Sequence, residues 1–287
     1  MMQPDLQVLV QEIRQIAREE ILPRFEHIGF AVKQDGSLLT EADLATNQRI
    51  AAFLLQEWPE IAFLSEEMER EEQERLLREA DALWCLDPLD GTSNFAAGIP
   101  LFAVSLALFQ RGEVVLALTY DPVHDEMFTA QRGRGAWLNG KPLRCQPSEF
   151  QLCNAVAIVD FKRLSPALKQ ALMTNPPYGS QRNLGSCVLE WAWMAANRGN
   201  LYLHGGMKLW DLAAGSLILA EAGGYAATLQ GEPVFVAALA PRSVVISRIR
   251  CCLRRGWVIC RRNSERGTAH TAHWGIRFGF GGHFGLA

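Results

Sequence analysis

At 287 residues and 49% hydrophobic content, the chain is long enough to bury a substantial core, as one large domain or as two smaller ones sharing a cleft. Its net charge of −3 hides an asymmetry, because residues 241–287 hold nine Arg, no Lys and one acid, a balance of +8 against −11 for the rest. With no apolar run near the roughly 20 residues that span a bilayer, no basic-then-apolar pattern over residues 1–14 and seven cysteines without C-x-x-C spacing, membrane, secreted disulfide-rich and zinc-site classes are excluded, and a cytoplasmic protein with reduced thiols is expected.

Leu6, Val10, Ile13, Ala17 and Ile21 recur at helical spacing, which predicts an amphipathic helix over 5–22 with Arg14, Arg18, Glu19 and Glu20 outward. After Phe30-Ala31-Val32-Lys33, Asp35-Gly36 reads as a turn. Thr40-Glu41-Ala42-Asp43 has the form of a helix start with a capping-box acid, and a helix is expected over 41–57 with Leu44, Ile50, Ala51 and Leu54 inward. Residues 61–64 read as a short buried strand ending at Ser65-Glu66-Glu67, ahead of a mixed-charge run. Strands over 101–109 and 114–120 are bridged by a hairpin turn at 110–113, and 126–130 and 136–138 continue the antiparallel pattern. A first α+β domain, residues 1–147, ends there.

The second domain, 148–247, opens on a strand over 154–159, a helix over 166–173 and a loop over 175–181. A helix over 186–197 follows, with its tryptophans in the core. Leu201-Tyr202-Leu203 is a strand and His204-Gly205-Gly206 a turn. Lys208-Leu209-Trp210-Asp211 opens a helix over 212–222 that Gly223-Gly224 closes, and 225–229 and 242–247 are the last strands.

The chemistry concentrates in Trp84-Cys85-Leu86-Asp87-Pro88-Leu89-Asp90-Gly91-Thr92-Ser93-Asn94-Phe95. This reads as the end of a buried strand over 82–86, two carboxylates three residues apart, and a short helix capped by Thr92 and Ser93, whose free N–H groups face an anion. Asp87 and Asp90 repel that anion unless cations intervene: at an effective dielectric of about 20, two charges roughly 4 Å apart cost about 4 kcal/mol. Oxygen-only ligands favour magnesium over zinc. Each piece also has a plainer reading. Asp-Pro-Leu-Asp-Gly is ordinary turn composition, Asp43 is a helix cap, Glu66 is a solvated helix start, and Asp211 is either an N-cap or a metal ligand. Glu66 gains weight from its place at a strand end, where α/β sheets gather ligands.

With Thr40–Asp43, Ser65-Glu66-Glu67, the aspartate stretch, Trp210-Asp211 and Glu221-Ala222-Gly223-Gly224 together, the chain resembles the inositol monophosphatase family from about residue 5 to 247. The resemblance implies an α/β (α+β) fold, a layered α-β-α-β-α sandwich. It also implies a homodimer that hydrolyses a small polyol or sugar phosphate with magnesium and is often inhibited by lithium. Residue by residue, it implies that Glu66, Asp87 and the Leu89 carbonyl hold one magnesium, that Asp87, Asp90 and Asp211 hold a second, and that Glu66 helps hold a weaker third. Thr92 with Glu66 would orient and deprotonate the attacking water, Asp43 would bond the Thr92 hydroxyl, and the Gly91 and Thr92 N–H groups would hold phosphate oxygens. Phosphoryl transfer needs this kind of charge neutralisation and placement more than covalent chemistry, so no protein nucleophile is assigned.

Two departures stand out. Inositol-specific relatives carry a polyol-binding glutamate where this chain has His204, which is either a turn residue or, with Lys208, a substrate contact for a hydroxyl, a carboxylate or a second phosphate. A nucleotide 3'-phosphatase or sugar bisphosphatase is therefore an alternative. Beyond Ser247 no family resemblance is visible: the tail 248–287 is either the product of a reading-frame change or a basic nucleic-acid contact arm. The second option extends to a regulatory nucleic-acid-binding protein with a vestigial site.

Overall fold

A computed structural model describes residues 4–25, 30–32 and 38–249. The turn expected at Asp35-Gly36, the tail from residue 250 and three of the seven cysteines lie outside them.

Helix α1 (Leu6–Glu20) begins at Asp5, whose carboxylate accepts from the Gln7 amide at 2.8 Å. Its core seam is Leu9, Ile13, Ile16 and Ala17, rotated from the expected one, so that Leu6 and Val10 are only half-buried. The one-turn helix α2 (Leu22–Phe25) and the ribbon β1 (Phe30–Val32) and β2 (Leu38–Thr40) lead into α3 (Glu41–Glu57), which has the expected bounds and capping box. Ile50 and Leu54 face the core, whereas Leu44 is 43% exposed and not inward.

Next come β3 (Ala62–Ser65), α4 (Arg70–Glu79), β4 (Ala82–Asp90) and the single turn α5 (Thr92–Ala96). The meander β5 (Ala103–Gln110), β6 (Glu113–Asp121), β7 (Glu126–Gln131), β8 (Gly135–Leu138) and β9 (Lys141–Leu143) completes a seven-stranded sheet in sequence order, parallel between β3 and β4 and antiparallel elsewhere. The β5–β6 hairpin turns on Arg111 and Gly112, both at positive φ, the geometry a two-residue hairpin requires. β9 was not expected.

The rest of the chain supplies β10 (Val156–Asp160), α6 (Pro166–Thr174), β11 (Ser180–Arg182), α7 (Cys187–Ala195), β12 (Leu201–Met207), α8 (Leu209–Glu221), β13 (Ala226–Ala227) and β14 (Arg242–Ser247). Its five strands order as β11-β10-β12-β14-β13. Two expectations are corrected here. Ser180 and Gln181, expected as the end of a loop, pair in parallel with β10 and form with Arg182 an edge strand. His204-Gly205-Gly206, expected as a turn, lies inside β12, because the ladder to β14 continues through His204↔Val244 and resumes after a bulge at Met207↔Arg242.

The two sheets share one layer of helices. Leu9, Ile13 and Ile50 of α1 and α3 pack with Trp84, Leu106 and Leu118 on one face of the large sheet. Cys85, Ala107 and Phe128 on its other face join Trp191, Leu212 and Leu217 of α7 and α8, which also meet Ile158, Tyr202 and Ile246 of the small sheet. Beyond that sheet, Leu172 and Leu168 of α6 cover Val159, Leu203 and Val245. The result is the α-β-α-β-α sandwich that the resemblance implied. Arg248 and Ile249, placed in the atypical tail by sequence, belong to it: Ile249 is buried, and Arg248 donates to the Gln146 and Gly199 carbonyls at 2.8 and 2.7 Å. Cys85, Cys145, Cys153 and Cys187 are unpaired thiols, and among the described residues no helix is long and apolar enough to cross a membrane.

Candidate active site

The strand expected over 82–86 runs on to Asp90, and its ladder with β5 shifts between Asp87↔Ser105 and Asp90↔Ala103. Pro88 sits in that bulge, where a residue without an N–H does no harm to the ladder. The Asp87 carboxylate accepts from the Leu89 amide at 3.1 Å, and the Leu89 carbonyl lies 3.0 Å from the Thr92 hydroxyl. Gly91, not Thr92 or Ser93, is the N-cap of α5. Its φ of +88° is left-handed, and an added Cβ would meet the Leu101 carbonyl at 2.8 Å.

Three other elements converge on this bend. Glu66 follows β3, its amide donating to the Leu86 carbonyl at 3.2 Å. Asp43, the third residue of α3, accepts from the Thr40 amide at 2.8 Å and stands 3.3 Å from the Thr92 hydroxyl, so it is both cap and neighbour of the bend. Asp211 is likewise the third residue of its helix rather than the N-cap, accepting from the Lys208 amide at 2.9 Å. Carboxylate oxygens of Asp87, Asp90 and Asp211 lie within 4.8 Å of one another.

Such a gathering is electrostatically costly. Burial, then Glu66, Asp90, Asp211 and Asp43, push the Asp87 carboxyl well above the usual carboxylate range. Burial lifts Asp90 to about 7 even though Ser186 and the Val188 amide bond it, and burial followed by Asp90 and Glu66 lifts Asp211 to about 7. The Lys208 ammonium, 3.2 Å from Glu66 and 5.4 Å from the Trp210 ring centroid, brings positive charge to the rim. The donor set is all hard oxygen at close range, which fits magnesium or another hard divalent cation.

His204 is not presented as a substrate contact. It is 2% exposed, its Nδ1 accepts from the Gly206 amide at 3.2 Å, and its Nε2 bonds Asp160 at 3.0 Å, so both ring nitrogens are used.

Several residues near the bend carried no sequence-based role. The Ser186 hydroxyl and the Val188 amide both donate to Asp90 Oδ2, tying the start of α7 to the end of β4. Asn94 donates to the Leu101 and Leu184 carbonyls at 2.8 and 2.7 Å, and the buried Glu190 accepts from the Leu184 amide at 2.9 Å, fixing the loop that carries Ser186. Ser186 was legible only as a helix start. Glu221 anchors the β7–β8 turn, accepting from Gly133 and Gly135 at 2.8 and 2.9 Å.

The inositol monophosphatase family profile matches residues 1–259, farther than the resemblance visible in the sequence. A Nus factor SuhB of Pasteurella multocida is 33% identical over 243 residues, covering 80% of this chain and 89% of that protein. An inositol-1-monophosphatase of Mesorhizobium japonicum is 34% identical over 211 residues, covering 72% and 77%. A solved IMPase/NADP phosphatase, complexed with Mg2+ and phosphate, superposes with a TM-score of 0.72 at 25% identity over 85% of this chain and 88% of that one. The five-layer fold, the acidic bend and a match spanning both sheets agree, and the chain belongs to the inositol monophosphatase family.

Proposed function

We propose that this protein is a magnesium-dependent phosphomonoesterase that hydrolyses a small polyol or sugar phosphate by attack of water. The convergence of Asp87, Asp90 and Asp211 carries the reading, since it brings acids from segments far apart in the chain within 4.8 Å of one another. In it, Glu66, Asp87, Asp90, Asp211 and the Leu89 carbonyl hold about two or three magnesium ions, which supply positive charge to the phosphoryl oxygens and acidity to water. The Thr92 hydroxyl, flanked by Asp43 and the Leu89 carbonyl, orients the water, and Glu66 accepts its proton. The N–H groups of Gly91 and Thr92, at the start of α5, donate to phosphate oxygens. Lys208 offsets the acidic rim through Glu66.

Likeness to an IMPase/NADP phosphatase favours a second reading, removal of a phosphate from a nucleotide. Phosphate release from inositol phosphates, sugar phosphates and phosphorylated nucleotides, with and without magnesium and lithium, separates the two. In the same assay Asp90→Asn is expected to lower turnover roughly 100-fold or more while circular dichroism is unchanged, because it removes one of the clustered charges. Wild-type turnover by that variant contradicts the assignment.

A further inference from the structure

The pair Asp160–His204 lies outside the acidic bend and is built toward the same cleft. β10 and β12 run parallel, and Asp160 and His204 are direct register partners at the ends of that pairing. Alternation along the strands decides which way they point. Ile158 and Tyr202, two residues earlier on each strand, pack toward α7 and α8, whereas Val159 and Leu203 pack outward toward α6. Asp160 and His204 therefore face the middle helices at the carboxyl ends of parallel strands, where sheets of this kind bind ligands.

The helix starts they face are those of the acidic bend. Cys187, the first residue of α7, has its thiol 3.6 Å from His204 Nε2. Burial pushes that thiol up, and the charges of Asp90, Asp211, Glu190 and Asp160 push it the same way. Cys187 stands between Ser186 and Val188, both of which bond Asp90, so the start of α7 links the Asp160–His204 pair to the acidic bend by direct contacts.

Within the pair the two side chains are not equivalent. His204 is spent: its Nδ1 accepts from Gly206, so the ring proton is on Nε2 and is given to Asp160. Its side chain is 2% exposed. The Asp160 side chain is 17% exposed, and its two oxygens accept one hydrogen bond each, from His204 and from the Lys162 amide at 2.7 Å. A carboxylate has about four acceptor positions, so acceptor capacity remains. Burial works to raise the Asp160 carboxyl, but the hydrogen bond from His204, the Lys162 amide and the Arg163 charge outweigh it and hold it below the usual range.

We propose that Asp160 is the residue that recognises the leaving alcohol, accepting hydrogen bonds from its hydroxyls, and that His204 is a positioning residue that holds the carboxylate toward the cleft. The substrate class is then the phosphate monoester of a neutral, polyhydroxylated alcohol. A leaving group with a second phosphate would be repelled at this position. The proposal rests on the phosphomonoesterase reading above.

The test compares myo-inositol 1-phosphate with phenyl phosphate, whose leaving group offers no extra hydroxyl, in the full chain with magnesium. Asp160→Asn is expected to lower kcat/KM for the inositol ester about tenfold or more, mainly through KM, and to change phenyl phosphate less than about twofold. His204→Ala should follow Asp160→Asn, and His204→Gln, which keeps a donor, should recover part of the loss. Equal losses on both esters, or none on either, overturn the proposal. Calorimetric titration with myo-inositol 1-phosphate and with inorganic phosphate gives a readout independent of turnover. If the wild type hydrolyses neither ester, the catalytic reading fails, but weaker inositol phosphate binding in Asp160→Asn with unchanged phosphate binding still supports Asp160. A wild type that binds inositol phosphate no better than phosphate overturns it.

Discussion

At the scale of single residues, the buried acids make the molecule sensitive to pH. Asp90, Asp211 and Glu190 are each lifted to about 7, burial being the largest cause for all three. An acid raised in this way holds its proton more tightly folded than unfolded. Its contribution is fully present below the unfolded pKa of about 4 and is lost as pH rises through about 7. Without divalent ions, Tm should therefore fall between about pH 5 and about pH 8, and magnesium should raise Tm more at the upper end, where the carboxylates are free of protons. Glu190→Gln keeps an acceptor for the Leu184 amide, removes one buried charge and should flatten that fall, gaining up to about 3 kcal/mol near pH 8. Thermal melts of both proteins over this range decide the matter, and identical slopes would remove Glu190 from the account. Asp43 shows how far a residue could be read in advance: its capping role follows from Thr40 three positions earlier, whereas its approach to Thr92 depends on where β4 bends.

The elements carry a second layer of constraint. α3 has the bounds expected from its cap and periodicity, both local signals, but α1 packs along a seam rotated from the expected one, because the sheet beneath selects which apolar residues are covered. β12 departs from its local composition for a related reason. Gly-Gly after a histidine is turn composition, yet cross-strand pairing to β14 holds the segment extended. Close packing of α7 on α8 depends on Gly215, where an added Cβ would fall 2.4 Å from Trp191 Cγ, and Trp191 is fully buried. Gly215→Ala should destabilise the protein by about 1–3 kcal/mol through overpacking, measured as a lower urea midpoint at unchanged m-value. An unchanged midpoint would mean that the two helices can part at little cost.

For the molecule as a whole, the shared helix layer explains why the site is complete only when both sheets are assembled. β4 supplies Asp87 and Asp90, α8 supplies Asp211, and Ser186 at the start of α7 bonds Asp90 across the junction. Arg248 closes the far side by tying the segment after β14 to the carbonyls of Gln146 and Gly199. Arg248→Ala should cost about 2–4 kcal/mol, because two carbonyls lose a charged donor. Equilibrium denaturation tests this, and a change under about 0.5 kcal/mol would place Arg248 among ordinary surface residues.

The sequence alone determined the acidic stretch and the bounds of the well-capped helix, because each is written in contiguous residues whose capping, periodicity or adjacent charge acts locally, and the layered fold followed from it only through the resemblance to the family. Tertiary structure decided the rest. It buried His204 behind its bond to Asp160 and left Asp160 partly exposed, made Ser186 a partner of Asp90, and drew Arg248 and Ile249 into the packed fold. These outcomes depend on strand parity, cross-strand register and the depth of burial, which arise only when segments distant along the chain are brought together.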